Sequence, residues 1–319
     1  MLLAGAAVGG YEFFLRDRGI APSVTDDLEL WSVIRSRAGG DPRTLVLCGA
    51  SRIQLGFSPE EAARSEPSIR TLQLAVDGTN AVATLRDLAD DPTFVGTVML
   101  STLASGFSPE SFEDQTPWVR RRAAGFSFDA ALNRQWRAVL QERAAVLSPE
   151  AELRRVIRRL LDRGELPEQS MILAADRSRT ADYAGLDLEA YAVWRLERDR
   201  AGLVSSPKGP AYERWLLGVD AVEAMTRKIK DRGGRVVIFH DLVTGEYGRV
   251  YREAFPRSTY WDQVATRTTA ICIHADDEPD IARLVCPDGS HLDRRDMPAF
   301  TRALMAALRR RGADRKRVV

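Results

Sequence analysis

The sequence is poor in the residue types that build most metal and redox sites. Its 319 residues include only three cysteines, three histidines and four lysines. The cysteines, Cys48, Cys272 and Cys286, exclude a dense disulfide scaffold, and they form no C-x-x-C pair of a redox or zinc site. Because Cys48 and Cys272 lie in apolar runs, we expect both thiols to be buried as small hydrophobes.

Common nucleotide and metalloprotease motifs are also absent. The chain has no G-x-x-x-x-G-K-[ST], no G-x-G-x-x-G after a strand-like run and no H-E-x-x-H. His274 is followed by Asp276, Asp277 and Glu278, which are the ligand types of hard cations. No spacing fixes three or four ligands, however, and loop carboxylates are usually solvated. We therefore expect neither a metal nor a cofactor.

The charges almost cancel. There are 46 Lys and Arg residues against 45 Asp and Glu residues, which leaves a net charge of +1. Nucleic-acid-binding proteins normally carry a basic excess on one face, so the balance argues against a nucleic-acid partner. Arginine is so abundant relative to lysine that the position of any single arginine carries little information.

The N-terminus begins with a short apolar run over residues 1–10, which Glu12 interrupts. A spanning helix needs about 20 apolar residues. The run has the length of a signal-peptide core, but it lacks preceding positive charges and an A-x-A site. We interpret residues 1–18 as the remnant of a signal or membrane anchor, which predicts a periplasmic or extracytoplasmic protein of the cell envelope. The alternative is a cytoplasmic protein with a short apolar helix packed on its domain.

The C-terminus is basic. Its cations are Arg309, Arg310, Arg311, Arg315, Lys316 and Arg317. Contact with an anionic lipid or polymer is one interpretation. We favour a solvated helix end, because cations are stabilising at the C-terminal pole of a helix.

Five apolar runs have the character of buried strands, at residues 45–48, 72–76, 95–100, 236–239 and 270–273. Continuous runs are typical of a parallel sheet that is covered on both faces. Helix-like segments at 59–64, 80–89, 212–232 and 296–311 alternate with them. The pattern predicts an α/β fold, a three-layer α/β/α sandwich with a five-stranded parallel, flavodoxin-like sheet over residues 19–319.

A long interruption separates the third and fourth predicted strands. Residues 105–234 contain amphipathic helical patterns, for example at 149–162 and 186–199, and no convincing strand. This length is too great for an ordinary crossover. We expect a helical insertion that covers the carboxyl edge of the sheet.

The first predicted strand leads directly into Gly49-Ala50-Ser51-Arg52. In open α/β sheets, ligands lie outside the carboxyl ends of the strands. Ser51 is therefore placed where the first N–H groups of a helix can face an oxyanion. The turn alone is weak evidence, because a serine here can also serve only as a helix cap.

A second motif, Asp288-Gly-Ser-His291, lies just ahead of the last predicted helix. An Asp and a His three residues apart on a turn can point to the same side. The carboxylate then accepts a hydrogen bond from the imidazole and fixes its tautomer. Together with Ser51, these residues form a candidate nucleophile, base and orienting acid.

This combination of motifs resembles the SGNH/GDSL hydrolase superfamily, in which the serine follows the first strand and a D-x-x-H block stands near the C-terminus. It is most similar to the bacterial SGNH-like proteins that act in acylation of cell-envelope polysaccharide or teichoic acid. The resemblance covers both ends of the chain and leaves the insertion unmatched. It implies catalytic roles for Ser51, Asp288 and His291.

The resemblance also suggests residues that bind the oxyanion or the substrate. It assigns a backbone donor to Gly78, which follows the second strand. The family's third block supplies an asparagine after the third strand, and this sequence has none there. Asn80 is a candidate substitute, or alternatively a helix cap. Arg52 and His240 lie at the same predicted edge and are candidates for substrate binding.

The function implied is that of a serine acyl esterase or O-acyltransferase on acylated polysaccharide. Its expected partners are an acylated glycan or acyl-carrier substrate and a membrane-bound O-acyltransferase. The alternative is a degenerate SGNH domain that serves as a binding or assembly partner of such a system. The missing third-block asparagine favours that alternative, since loss of one oxyanion donor costs about 10²–10³ in rate.

Overall fold

The computed structural model describes residues 2–125, 127–163 and 169–314. Its centre is a parallel sheet with the strand order β2-β1-β3-β6-β7. The strands of this sheet are β1 (Thr44–Cys48), β2 (Arg70–Gln73), β3 (Thr97–Thr102), β6 (Arg235–His240) and β7 (Ile271–His274). The order is that of a flavodoxin-like sheet, as predicted.

Helices surround this sheet on both faces. Before the insertion they are α1 (Leu2–Asp17), α2 (Leu28–Arg35), α3 (Ser51–Gly56), α4 (Pro59–Ser65) and α5 (Val82–Asp90). Between β3 and β6 they are α6 (Thr116–Ala123), α7 (Phe128–Gln141), α8 (Leu153–Arg163), α9 (Leu188–Val204) and α10 (Pro210–Asp231). The rest are α11 (Gly245–Ala254), α12 (Trp261–Arg267), α13 (Pro279–Ala282) and α14 (Met297–Asp314).

The strands are apolar throughout because both faces of the sheet are covered. Along β1, Leu45 and Leu47 point into a core formed with α14, whereas Val46 and Cys48 point into the core formed with α2, α5 and α10. Successive side chains on a strand alternate between its faces, so a run without alternation fills two cores. The three-layer α/β/α arrangement follows from this pattern.

The strand limits differ from the predicted ones by a few residues, most clearly at β2. The predicted run was 72–76, but the strand is Arg70–Gln73. The N–H groups of Leu74 and Val76 still donate to the carbonyls of Leu47 and Gly49, at 2.9 and 3.1 Å. The chain therefore follows β1 toward the carboxyl edge, where the next loop begins.

The prediction for Cys272 was partly wrong. Cys48 is buried in the central strand β1, whereas Cys272 is only partly buried. The reason is topological, because β7 is the last strand of the sheet and one of its sides has no neighbouring strand.

The segment between β3 and β6 contains two strands that were not predicted. β4 (Met171–Leu173) and β5 (Arg179–Ala181) form an antiparallel hairpin. Helix α10 packs into the core through Trp215, Val219 and Val222, so it serves as the crossover helix that returns the chain to β6. The elements added to the flavodoxin-like pattern therefore end before α10.

A buried arginine anchors this hairpin to the sheet. Arg177 lies in the tight turn between β4 and β5 with a φ of 66° and is fully buried. Its guanidinium pairs with Asp26 and donates to the carbonyls of Gln73 and Ala75 at 2.9 and 3.0 Å. These bonds satisfy carbonyls at the end of β2 and hold the insertion against the edge of the sheet.

The N-terminal helix α1 packs against the insertion. Tyr11 donates to the carbonyl of Ala151 at 3.0 Å, and Glu12 accepts the N–H groups of Ala145 and Val146. No helix among the described residues is long and apolar enough to cross a membrane. The C-terminal cations Arg315, Lys316 and Arg317 lie outside the described residues.

Candidate functional site

Ser51 is the first residue of α3, at the point where β1 leaves the sheet. The turn before it requires glycine, because a Cβ on Gly49 would lie 2.9 Å from the carbonyl oxygen of Ser101. The carbonyl of Gly49 also accepts a hydrogen bond from the buried side chain of Gln115 at 3.1 Å. Close packing against β3 thus fixes the turn that presents Ser51.

Asp288 and His291 are held by a second tight turn. One carboxylate oxygen of Asp288 accepts the N–H groups of Ser290 and His291 at 2.9 and 2.7 Å. Gly289 has a φ of +79°, and its carbonyl accepts the N–H of Thr244 at 3.0 Å. The Asp288 turn is therefore fixed both internally and by the loop after β6.

The two turns bring their side chains together. His291 Nε2 lies 2.8 Å from Ser51 Oγ, and His291 Nδ1 lies 2.8 Å from Asp288 Oδ2. Because an ionised carboxylate only accepts, Nδ1 carries the proton and Nε2 is free to accept from Ser51. The predicted contact between His291 and Ser51 is present, across 240 residues of sequence.

The electrostatics of the site suit this proton arrangement. Burial disfavours ionisation of Asp288, but the hydrogen bonds from His291 and the backbone hold the pKa of its carboxyl well below the usual range. Burial lowers the pKa of His291, and Asp288 opposes that effect. Near neutral pH, His291 is thus a neutral acceptor beside an ionised aspartate.

Helix α9 of the insertion adds charged groups beside the Asp288 carboxylate. Arg195 Nη1 lies 3.8 Å from Asp288 Oδ2, and Arg195 Nε donates to Asp199 at 2.8 Å. Tyr247 donates to Asp199 at 3.4 Å and accepts from Arg52 at 3.0 Å. This chain of contacts links the aspartate of one turn to the residue that follows the serine of the other.

A cavity of about 770 Å³ opens next to the serine. Gly49, Ala50 and Arg52, which flank Ser51, line it together with the ends of β3 and β6. Asp241, at the end of β6, is buried there, and burial raises the pKa of its carboxyl to about 6 against the opposing effect of Arg52. The cavity thus lies at the carboxyl edge of the sheet, where α/β proteins bind ligands.

The two candidates after β2 occupy different positions. Asn80 lines the cavity, but its amide hydrogens are donated to the Gly106 carbonyl and Ser111 Oγ, at 2.7 and 2.8 Å. Its oxygen accepts the N–H of Val82, the first residue of α5, at 2.9 Å. This favours the helix-cap alternative for Asn80. Gly78 lies on the exposed side of the same turn with a φ of +70° and is not among the cavity-lining residues.

His240 does not line the cavity beside Ser51, where it was predicted to bind substrate. It is buried, its ring stacks on His274 with centroids 4.1 Å apart, and Nε2 is 3.0 Å from the Tyr251 hydroxyl. Its Nδ1 lies 3.1 Å from the Asp241 carbonyl, so both ring nitrogens have partners within the protein. Over the residues that the structure describes, no three His, Cys, Asp or Glu side chains are grouped to hold a metal ion.

Several neighbours of the site were not predicted from the sequence. Arg195 and Asp199 are separated by four residues on an amphipathic helix, which is the pattern of an ordinary solvated ion pair. Tyr183, which follows the unpredicted hairpin, is buried, and burial together with the nearby Asp288 charge raises the pKa of its hydroxyl. No signal in the sequence distinguishes these residues from ordinary surface residues, because their position near the site depends on how the insertion folds over the sheet.

Three side chains from two turns form a relay of hydrogen bonds beside a cavity that polar and apolar side chains line together. No protein-family model matches the chain, and none of the curated proteins is similar to it.

Proposed function

We propose that the protein is a serine acyl esterase or O-acyltransferase with Ser51 as nucleophile, His291 as general base and acid, and Asp288 as the orienting carboxylate. The observation that carries this proposal is the pair of 2.8 Å contacts that connects the three side chains. A nucleophile hydrogen-bonded to a base that a third group orients is recognisable by geometry on unrelated folds.

In the first step, Ser51 Oγ attacks the carbonyl carbon of the acyl ester while its proton passes to His291 Nε2. The resulting imidazolium is stabilised by the negative charge of Asp288. Collapse of the tetrahedral intermediate breaks the ester C–O bond, and the departing alkoxide takes the proton from His291. The acyl group is then attached to Ser51.

In the second step, a water or an acceptor hydroxyl attacks the acyl-enzyme. His291 Nε2 takes the proton of the attacking oxygen and returns it to Ser51 Oγ as the acyl group leaves. Water gives hydrolysis, and a sugar hydroxyl gives acyl transfer. The same residues perform both reactions, so the occupant of the acceptor position decides the product.

The oxyanion needs donors at the carboxyl edge of the sheet. The N–H of Ser51 belongs to the first turn of α3, where N–H groups lack an intrahelical acceptor. The family resemblance assigns a second donor to the N–H of Gly78, but Gly78 lies on the exposed side of its turn and does not line the cavity. Such donors are often the largest single contribution to acyl-transfer catalysis.

The cavity lining favours a hydroxyl-rich substrate. Hydroxyl side chains from several loops line it: Thr79, Thr102, Ser105, Ser108 and Ser205. Charges of both signs, such as Arg52 and Asp199, are also present, so no single sign of ligand charge is selected. These features suit an acylated polysaccharide as substrate. The cell-envelope origin of that polysaccharide and a membrane-bound O-acyltransferase as partner are implied by the family resemblance alone.

The pH dependence of the reaction follows from the protonation of His291, which must be neutral to accept the serine proton. The charge of Arg195 lowers the pKa of His291, after the larger effect of burial. We expect Arg195→Gln to raise that pKa and to move the acid limb of kcat/KM to higher pH.

The measurement for Arg195→Gln is kcat/KM between pH 5 and 9. Arg200→Gln is the matched control, because Arg200 lies exposed on the same helix. An acid limb at the same pH in Arg195→Gln and wild type contradicts a role for Arg195 in tuning the base.

A second candidate function, a catalytically degenerate SGNH domain that binds or assembles with an acylation system, has one observation in its favour. The amide of Asn80 is committed to Gly106 and Ser111, and Ser101 at the end of β3 donates to Asp241. Neither side chain is therefore free to replace the missing asparagine of the third block.

Hydrolysis of short-chain aryl esters by the purified chain decides between the two functions. The esterase proposal predicts turnover above the rate of the Ser51→Ala variant. Equal rates for the two proteins over a series of acetyl to butyryl esters would support the degenerate domain and contradict the enzyme.

A further inference from the structure

Helix α8 exposes a set of large apolar side chains on one face. Leu153, Ile157, Leu160 and Leu161 are between 42% and 81% exposed. Counted from Leu153, the other three follow after four, seven and eight residues, which places all four on one side of the helix. Val156, at the margin of this face, is buried. The described residues therefore leave most of the apolar face of α8 without a partner.

The opposite face and one flank of α8 are basic. Arg154, Arg155 and Arg158 are exposed, and together with Arg159 they occupy helical positions apart from the apolar residues. Only Asp162 carries a negative charge within the helix. Such segregation of arginine from leucine and isoleucine is typical of helices that lie in a membrane interface.

The preceding helix, α7, carries a second exposed apolar stripe. Phe128, Leu132, Trp136 and Leu140 recur every four residues and are between 42% and 83% exposed. The other side of α7 is fixed to the protein, because Arg134 is buried and pairs with Asp27 at 3.0 Å. Tryptophan is favoured where one side is apolar and the other is wet, and phenylalanine and leucine are typical of the apolar face of an interfacial helix.

The chemistry of these faces indicates which surface covers them. Exposed apolar patches of this kind mark protein or membrane contacts. The arginines that flank the apolar face of α8 favour a partner with an apolar interior and an anionic surface. An anionic lipid bilayer has that arrangement. We propose that α8, assisted by the α7 stripe, lies in the interface of an anionic membrane. This inference does not depend on the proposed enzyme activity.

Co-sedimentation of the full chain with lipid vesicles tests this inference. We expect binding to vesicles that contain phosphatidylglycerol, weaker binding to pure phosphatidylcholine, and a decrease with salt. The Ile157→Glu/Leu161→Glu variant should lose at least tenfold in vesicle affinity. Arg154→Gln and Arg158→Gln should each lose about fivefold, on phosphatidylglycerol vesicles only.

Leu217→Glu is the matched control, because Leu217 is an exposed leucine on α10, outside both faces. It should bind vesicles like wild type, and circular dichroism should show that all variants are folded. Two results would overturn the inference. One is equal vesicle binding by the α8 variant and wild type. The other is self-association that the α8 variant abolishes, without vesicle binding by wild type.

Discussion

Ser51→Ala is expected to lower kcat for acyl-ester hydrolysis by at least about 10⁴-fold, because removal of the nucleophile eliminates the acyl-enzyme route. The variant should remain folded. The Ser51 hydroxyl makes a hydrogen bond to His291 Nε2, and leaving that nitrogen without a partner costs about 1–3 kcal/mol. The measurement is kcat for an aryl acetate together with unfolding in urea.

Ser58→Ala is the control for this substitution. Ser58 caps α4 by accepting the N–H of Glu61, and it does not line the cavity. Loss of a cap costs about 1 kcal/mol, so the two variants should have similar stability. Only Ser51→Ala should lose activity. Retention of the wild-type rate by Ser51→Ala would remove Ser51 from the mechanism.

Asp288→Asn is expected to lower kcat by about 10⁴-fold while it preserves the shape of the turn. The amide can donate to His291 Nδ1, so it favours the tautomer with the proton on Nε2. That nitrogen faces Ser51 and could then no longer accept its proton. The loss should therefore come from the wrong tautomer rather than from a displaced ring, and kcat for an aryl acetate measures it.

Asp293→Asn separates this effect from the loss of any buried carboxylate. Asp293 is also buried, accepts the N–H of Tyr183 and pairs with Arg295, but it does not contact His291. We expect Asp293→Asn to lose stability and to keep kcat within tenfold. If Asp288→Asn and Asp293→Asn lose kcat equally, the orienting role of Asp288 is wrong.

The sheet and the contact between the two turns could be predicted because both depend on local sequence. Strand β1 is apolar at every position since it is buried on both faces, and Gly49 marks the turn that leaves it. The turn from Asp288 to His291 is closed by hydrogen bonds from the N–H groups of Ser290 and His291 to the Asp288 carboxylate, all within four residues. The topology of a parallel sheet then brings the two loops to one edge.

The insertion could not be predicted to the same degree. Strands β4 and β5 have three residues each, which is too short for an alternating pattern to be recognised. Arg177 lies in their turn, and its complete burial depends on Asp26, 151 residues earlier in the chain. The approach of Arg195 to Asp288 likewise depends on tertiary packing, because its helical spacing is that of a surface residue.

The central claim, that His291 activates Ser51 as a nucleophile, is tested most directly by reaction of the purified chain with a fluorophosphonate. Attack of Ser51 Oγ on phosphorus displaces fluoride and leaves a stable phosphonyl ester. The account predicts one adduct per chain by intact mass, located by peptide mapping on the segment that contains Ser51. Absence of an adduct at Ser51, under conditions that fully label a reference serine esterase, would contradict it.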